Sequence, residues 1–300
     1  MLTSARALSI VATLSSAMLM IIGSSVPAAA MQGDRLQLAY EATFPNGSLE
    51  PSVNHLGIEG PMLTSSTLGS NSNPTFSSLP GELFIGVTRP VGTATGVVAS
   101  AVVSATPVDF GPGSISRVSA TFRAPLGPLV SGGWAVQVYA RTGGQDDLST
   151  QTRVSATLRV QPGGEFRLNV PQIVSGVTST TFMVLPVEIL DDIFSTMSPT
   201  KPFTLDLSID RTAGTGEAKL TVENRVFRLP FVLTVFPVND EPTITAMGAA
   251  VAMNGSSGQT VTVHLREFRI YASLSPNANA ADTCSEAFAG FNCRSVPVPN

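Results

Sequence analysis

The feature that most constrains this chain is a period-two alternation of apolar and polar residues, repeated between turn-forming segments from about residue 115 onward. Trp134, Val136 and Val138 share one parity, whereas Gln137, Tyr139 and Arg141 share the other, and Thr142-Gly143-Gly144 ends the run. Val154, Ala156, Leu158 and Val160 then point one way, with Arg153, Ser155, Thr157 and Arg159 opposite. Pro162-Gly163-Gly164 turns the chain into Phe166, Leu168 and Val170, which are opposed by Arg167 and Asn169. Side chains on a strand alternate between the two sheet faces, so each segment predicts an antiparallel strand with one buried and one wet face.

The segment from Phe203 to Glu223 predicts a hairpin whose arms can be checked against each other. Phe203, Leu205, Leu207 and Ile209 face inward on one arm, and Ala218, Leu220 and Val222 on the other. Pairing Leu207 with Leu220 and Leu205 with Val222 matches apolar to apolar, with Asp206 opposite Thr221 and Asp210 opposite Glu217. Gly214-Thr215-Gly216 is then its turn. Two long runs follow, Val226 to Phe236 and Gln259 to Ala272. The second changes parity at Arg266-Glu267, which predicts a β-bulge or a strand covered on both faces. The region from Pro45 to Gly81 is crowded with Gly, Pro, Ser and Asn, and predicts loops with at most short strands. Val187 to Phe194 is the one helical candidate.

The start of the chain sets the compartment. Arg6, an apolar stretch from Leu8 to Ile22 and a polar turn ending in Ala28-Ala29-Ala30 have the form of a cleavable signal peptide over residues 1–30. The apolar stretch is short for a membrane span of roughly twenty residues, and no later segment reaches that length. The expected product is secreted or otherwise extracytoplasmic, with a β domain over residues 31–275 and a tail over 276–300. Losing Arg6 moves the net charge from −4 to −5, which gives no basis for binding nucleic-acid backbone. In an exported chain the two cysteines, Cys284 and Cys293, are expected to form a disulfide, worth roughly 3 kcal/mol in the chain-entropy picture.

The order of these segments resembles the concanavalin A-like lectin/glucanase jelly roll, especially its laminin-G-like and bacterial exported members. The residues that carry the likeness are Phe203-Thr-Leu-Asp-Leu-Ser-Ile-Asp-Arg211, a Gly-Thr-Gly turn, Ala218-Lys-Leu-Thr-Val222, the closing strand from Val261 to Tyr271, and Gly133 to Gly144. It covers about residues 115 to 275. The resemblance implies an all-β sandwich of two antiparallel sheets, and implies that the outer, concave face of one sheet receives saccharides. On that face Gln137, Tyr139, Arg141 and Arg153 would supply one ring and several planar donors.

Catalytic chemistry finds little support. Glucanases of this fold carry a Glu-x-Asp-x-x-Glu cluster on one strand, because glycoside hydrolysis needs two carboxylates at a set separation. The nearest approach here, Glu188, Asp191 and Asp192, has a spacing that suits a helix or an exposed turn. There is no Gly-x-Ser-x-Gly elbow. The two histidines, His55 in the loop-rich region and His264 in mid-strand, cannot supply a zinc site alone. Calcium is the one ion with candidate ligands, at Asp146-Asp147 or Asn239-Asp240-Glu241; no cofactor is otherwise expected. Trp134 shares the parity of Val136 and Val138, which places it in the core.

The sequence therefore reads as a secreted, non-enzymatic module that binds carbohydrate or a cell-surface glycan. A structural or protein-interaction component of the cell surface is the first alternative, and a polysaccharide hydrolase or lyase the second.

Overall fold

The computed structural model describes residues 36–55, 61–67, 73–88, 97–104, 115–124, 134–142, 152–161, 164–174, 176–194, 200–236, 244, 246–253 and 260–272. The signal segment, both cysteines, Asp146-Asp147 and Asn239-Asp240-Glu241 lie outside the described residues.

Among the described residues sixteen strands form two antiparallel sheets. The larger contains β1 (Gln37–Ala42), β2 (Val53–Asn54), β4 (Asn73–Leu79), β5 (Glu82–Thr88), β7 (Ile115–Arg123), β12 (Phe203–Asp210), β13 (Thr215–Val222), β14 (Arg225–Val232) and β16 (Thr260–Ala272). Its order is β14-β13-β12-β7-β16-β1-β2, with β5 and then β4 beside the first half of β16. The smaller has the order β11-β10-β9-β8-β15-β6-β3. Those strands are β3 (Met62–Thr67), β6 (Val97–Ser104), β8 (Trp134–Arg141), β9 (Arg153–Val160), β10 (Phe166–Val174), β11 (Val177–Val184) and β15 (Ala246–Met253). The chain passes repeatedly from one sheet to the other, and the two sheets make the all-β jelly-roll sandwich that the resemblance implies.

Alternation decides what lies between the sheets. Phe203, Leu205, Leu207 and Ile209 on β12 and Val118, Ala120 and Phe122 on β7 meet Val136, Val138, Val154, Ala156, Leu158, Leu168 and Val170 from the facing sheet, all buried. In β16 the register against β7 shifts between Leu265 and Glu267. This bulge keeps Val261, Val263 and Leu265 inward before it and Phe268 and Ile270 inward after it, resolving the parity change in the sequence.

The hairpin register is two residues away from the expected one. Leu205 pairs with Leu220, Leu207 with Ala218 and Phe203 with Val222. A shift of two residues keeps every side chain on its face, so apolar matching alone does not choose between the registers. Two other contacts choose. Asp206 falls opposite Lys219, with 2.9 Å between Nζ and Oδ2, and Gly216 falls opposite Phe231 of β14, whose ring occupies the space of the missing side chain. The turn is accordingly Arg211 to Gly214, with Gly214 at φ 64°, and Thr215 and Gly216 belong to the strand.

Two further expectations change. Residues 45–81 hold strands of ordinary length, β3 and β4, besides a 3-10 turn at Pro45–Gly47. Both are outer strands held by backbone pairing with β6 and β5, so neither needed the alternation that marks a strand covered on one face. On β8 to β10 much of the face expected to be wet is withdrawn from water as well: Gln137, Tyr139, Arg141, Ser155, Thr157 and Asn169 are buried, whereas Arg153, Arg159 and Arg167 are half-buried.

The helix α1 (Val187–Ile193) forms where expected and buries Ile189, Leu190 and Ile193. Just past it, Phe194 packs on Trp134 with ring centroids 4.2 Å apart and on Phe203 at 6.2 Å. Phe203 stacks in turn on Phe122 at 5.5 Å. Trp134 is thus core, and this aromatic chain ties one sheet to the other. Gln172 makes a second tie: its Nε2 donates to the Val232 carbonyl at 2.8 Å, and its Oε1 accepts from the Thr234 amide at 2.8 Å.

Candidate functional site

The outer face of the smaller sheet brings the four expected residues together. Gln137, Tyr139 and Arg141 lie in a row on β8, and Arg153 on β9 pairs directly with Arg141. Next along β9 come Ser155, opposite Tyr139, and Thr157, opposite Gln137. Asn169 on β10 pairs with Thr157 and extends the row. On the other side β15 contributes Ala246 opposite Arg141, Gly248 opposite Tyr139 and Ala250 opposite Gln137. Small residues beside a row of long ones make a low floor along β8. Tyr139, Ala246 and Ala250 form an apolar cluster separate from the main core.

The face is polar but buried. Tyr139 is 3% exposed, Gln137 6% and Arg141 7%. Part of the shielding is local, because the Arg153 guanidinium lies 4.5 Å from the centre of the Tyr139 ring and that of Arg141 lies 5.9 Å away. The tyrosine ring therefore holds the arginines. Several buried polar atoms have no hydrogen-bond partner, among them Nε of Arg141, Nε of Arg153 and Oδ1 of Asn169. Leaving such a group unpaired costs about 1–3 kcal/mol. Burial disfavours the Arg153 cation and holds its pKa below the ordinary arginine value; the Tyr139 phenol opposes this and the Arg141 charge adds to it.

Charge is distributed unequally between the two outer faces. On the larger sheet Arg117 and Lys219 contact Asp206, Arg123 contacts Glu82, Arg228 contacts Glu217, and Arg269 contacts Glu41 and Glu267. On the smaller sheet Arg167 is held by Glu165 and lies over the Phe182 ring. Among the described residues Arg141, Arg153 and Arg159 face no carboxylate there.

The other candidates stand apart. His264 is a sheet histidine with Nδ1 2.8 Å from Glu82 and its ring edge-on to Phe84. His55 is exposed beyond β2. Glu188 and Asp191 are exposed on α1, and Asp192 binds Lys201 and Arg225. Among the described residues no three His, Cys, Asp or Glu side chains are grouped to hold a metal ion, and no helix is long and apolar enough to cross a membrane. Sequence reasoning missed the β15 floor, whose one signal was the small residues at every second position from Ala246 to Ala250.

No protein family and no curated protein matches the chain. Among solved structures it is similar to the carbohydrate recognition domain of Emp46p in its metal-free form. The TM-score is 0.45 at 11% identity, covering 68% of this chain and 88% of that one. The carbohydrate recognition domain of Emp47p gives 0.44 at 11% identity, covering 81% and 99%. Lectin I-B4 from Griffonia simplicifolia, metal-free, gives 0.44 at 12% identity, covering 71% and 100%. The likeness is distant. At these scores it carries no argument about what the chain binds.

Proposed function

We propose that the protein is an exported, non-enzymatic module that binds carbohydrate or a cell-surface glycan through the outer face of the smaller sheet. The observation that carries this reading is the row of planar polar side chains around one tyrosine, Gln137, Arg141, Arg153 and Asn169, in which buried donors and an acceptor lack protein partners. Sugars present closely spaced hydroxyls that satisfy such groups, and amide and guanidinium planes align several hydrogen bonds at once. Export would follow from the signal segment at residues 1–30.

A glycan array and a polysaccharide pull-down test the reading. Retention on at least one glycan is expected, with at least a tenfold loss in Gln137→Ala and in Asn169→Ala. Blank results in both assays contradict it, and a found affinity that both variants leave unchanged moves the site elsewhere.

One observation favours a protein-interaction role instead. The edge strand β11 exposes Val177, Phe182 and Val184, and an open strand edge can accept a strand from another chain. Phe182→Lys abolishing self-association or partner capture, with glycan binding absent, would favour that alternative.

A further inference from the structure

Resting on that reading of the face, we infer that Arg141 and Arg153 hold an oxyanion, so that the ligand is an acidic saccharide bearing carboxylate or sulfate. The arrangement of these two side chains is unfavourable in the protein alone. The two arginines are direct cross-strand partners on β8 and β9, and like charges directly opposite one another destabilise a sheet. Side chains at such a position can normally fan apart into water. Here Arg141 is 7% exposed, and Arg153 is confined against the Tyr139 ring.

Among the described residues no carboxylate contacts either arginine, and the Nε atoms of both are buried without a hydrogen-bond partner. Five cations on the opposite sheet each contact a carboxylate. Among the described residues Arg141 and Arg153 stand together on the other face with no such contact.

An oxyanion resolves each of these deficits. It neutralises the repulsion, and it accepts from the free Nε–H groups in the bidentate geometry that guanidinium forks offer carboxylate and sulfate. Being shielded from water, the interaction is screened little by salt. Gln137, Ser155 and Thr157 line the same row and offer partners for sugar hydroxyls. A neutral saccharide would satisfy hydrogen bonds but leave the repulsion in place.

The test compares retention on dextran, carboxymethyl dextran, dextran sulfate and polygalacturonate, together with a neutral glycan array. Wild type should bind one or more of the acidic polymers at least tenfold more tightly than any neutral glycan. Arg141→Gln and Arg153→Gln should each abolish that preference, whereas Arg228→Gln on the opposite sheet should keep it. Without ligand, Arg141→Gln should be at least as stable as wild type, an effect that a purely structural arginine would not produce. Should a glutamine variant fail to fold, Arg141→Lys keeps the charge and removes the fork. Thermal unfolding in sodium sulfate against chloride at matched ionic strength should then show stabilisation in wild type that is reduced in the lysine variant. Tight binding to neutral glycans alone overturns this inference and leaves the glycan-binding reading standing. Blank results on every glycan remove both. Acidic binding unchanged in the arginine variants, or equal sulfate stabilisation in wild type and Arg141→Lys, also overturns it.

Discussion

Asp206 lies directly opposite Lys219, and the two are joined at 2.9 Å while the carboxylate is 3% exposed. Arg117 from β7 closes the other side through Nε at 2.9 Å. The carboxylate thus joins three neighbouring strands. Removing one member of a buried ion pair leaves an unanswered charge and costs about 3–5 kcal/mol. Asp206→Ala should lose that much, and it strands two cations at once. Lys219→Met should lose about 1 kcal/mol or less, because Arg117 still answers Asp206. Urea unfolding measures both, and equal losses would contradict the assignment of Asp206 as the shared anchor.

Gly216 carries a steric prediction. A Cβ built there would lie 2.2 Å from Cζ of Phe231, so Gly216→Ala must push β14 away or rotate the ring. The expected loss is about 1–3 kcal/mol. Phe231→Leu should relieve most of it, giving clear coupling in a double-mutant cycle. Additive losses would show that the ring does not set the limit.

Trp134 is the sole tryptophan and is 1% exposed in the aromatic chain with Phe194 and Phe203. Its emission should be blue-shifted in the native state and move to the red in one step on unfolding. Trp134→Phe should be mild, and Phe194→Ala should cost about 3–5 kcal/mol because both sheets lose a shared contact. Red-shifted native emission would contradict this packing.

Glu41 makes stability depend on acid. Burial pushes its carboxyl pKa up, but hydrogen bonds from Arg269 and Ser52, together with the Arg269 charge, bring it below the ordinary glutamate value. A lowered folded-state pKa contributes stability that is complete above the unfolded value, about 4.3, and is lost as pH falls through the folded one. The stability difference between wild type and Glu41→Gln should therefore be largest near neutral pH and shrink below about pH 4. A constant difference from pH 7 to pH 3 would contradict it.

What the sequence disclosed follows from how strongly each strand is asked to distinguish its two faces. On β8, β9, β10, β12 and β13 large apolar residues alternate with polar ones, so parity was plain, and the bulge in β16 could be read as a parity change. On β15 the residues from Ala246 to Ala252 are nearly all small, so alternation has little amplitude. On β11 both faces are exposed at the sheet edge, and no hydrophobic parity is required. The hairpin register was missed because a two-residue shift preserves parity, leaving Asp206 with Lys219 and Gly216 with Phe231 to decide. In the candidate site, parity placed Gln137, Tyr139, Arg141 and Arg153 on one face. The burial of Tyr139 was not legible, because part of it comes from arginines of two strands that lie over its ring.

The most direct measurement is a titration of the arginine side-chain Nε–H signals by heteronuclear NMR, using the acidic polysaccharide that binds best. Arg141 and Arg153 should shift together and saturably, while Arg117 and Arg228 on the opposite sheet should not move. Saturable binding that moves Arg117 or Arg228 and leaves Arg141 and Arg153 unchanged would contradict it.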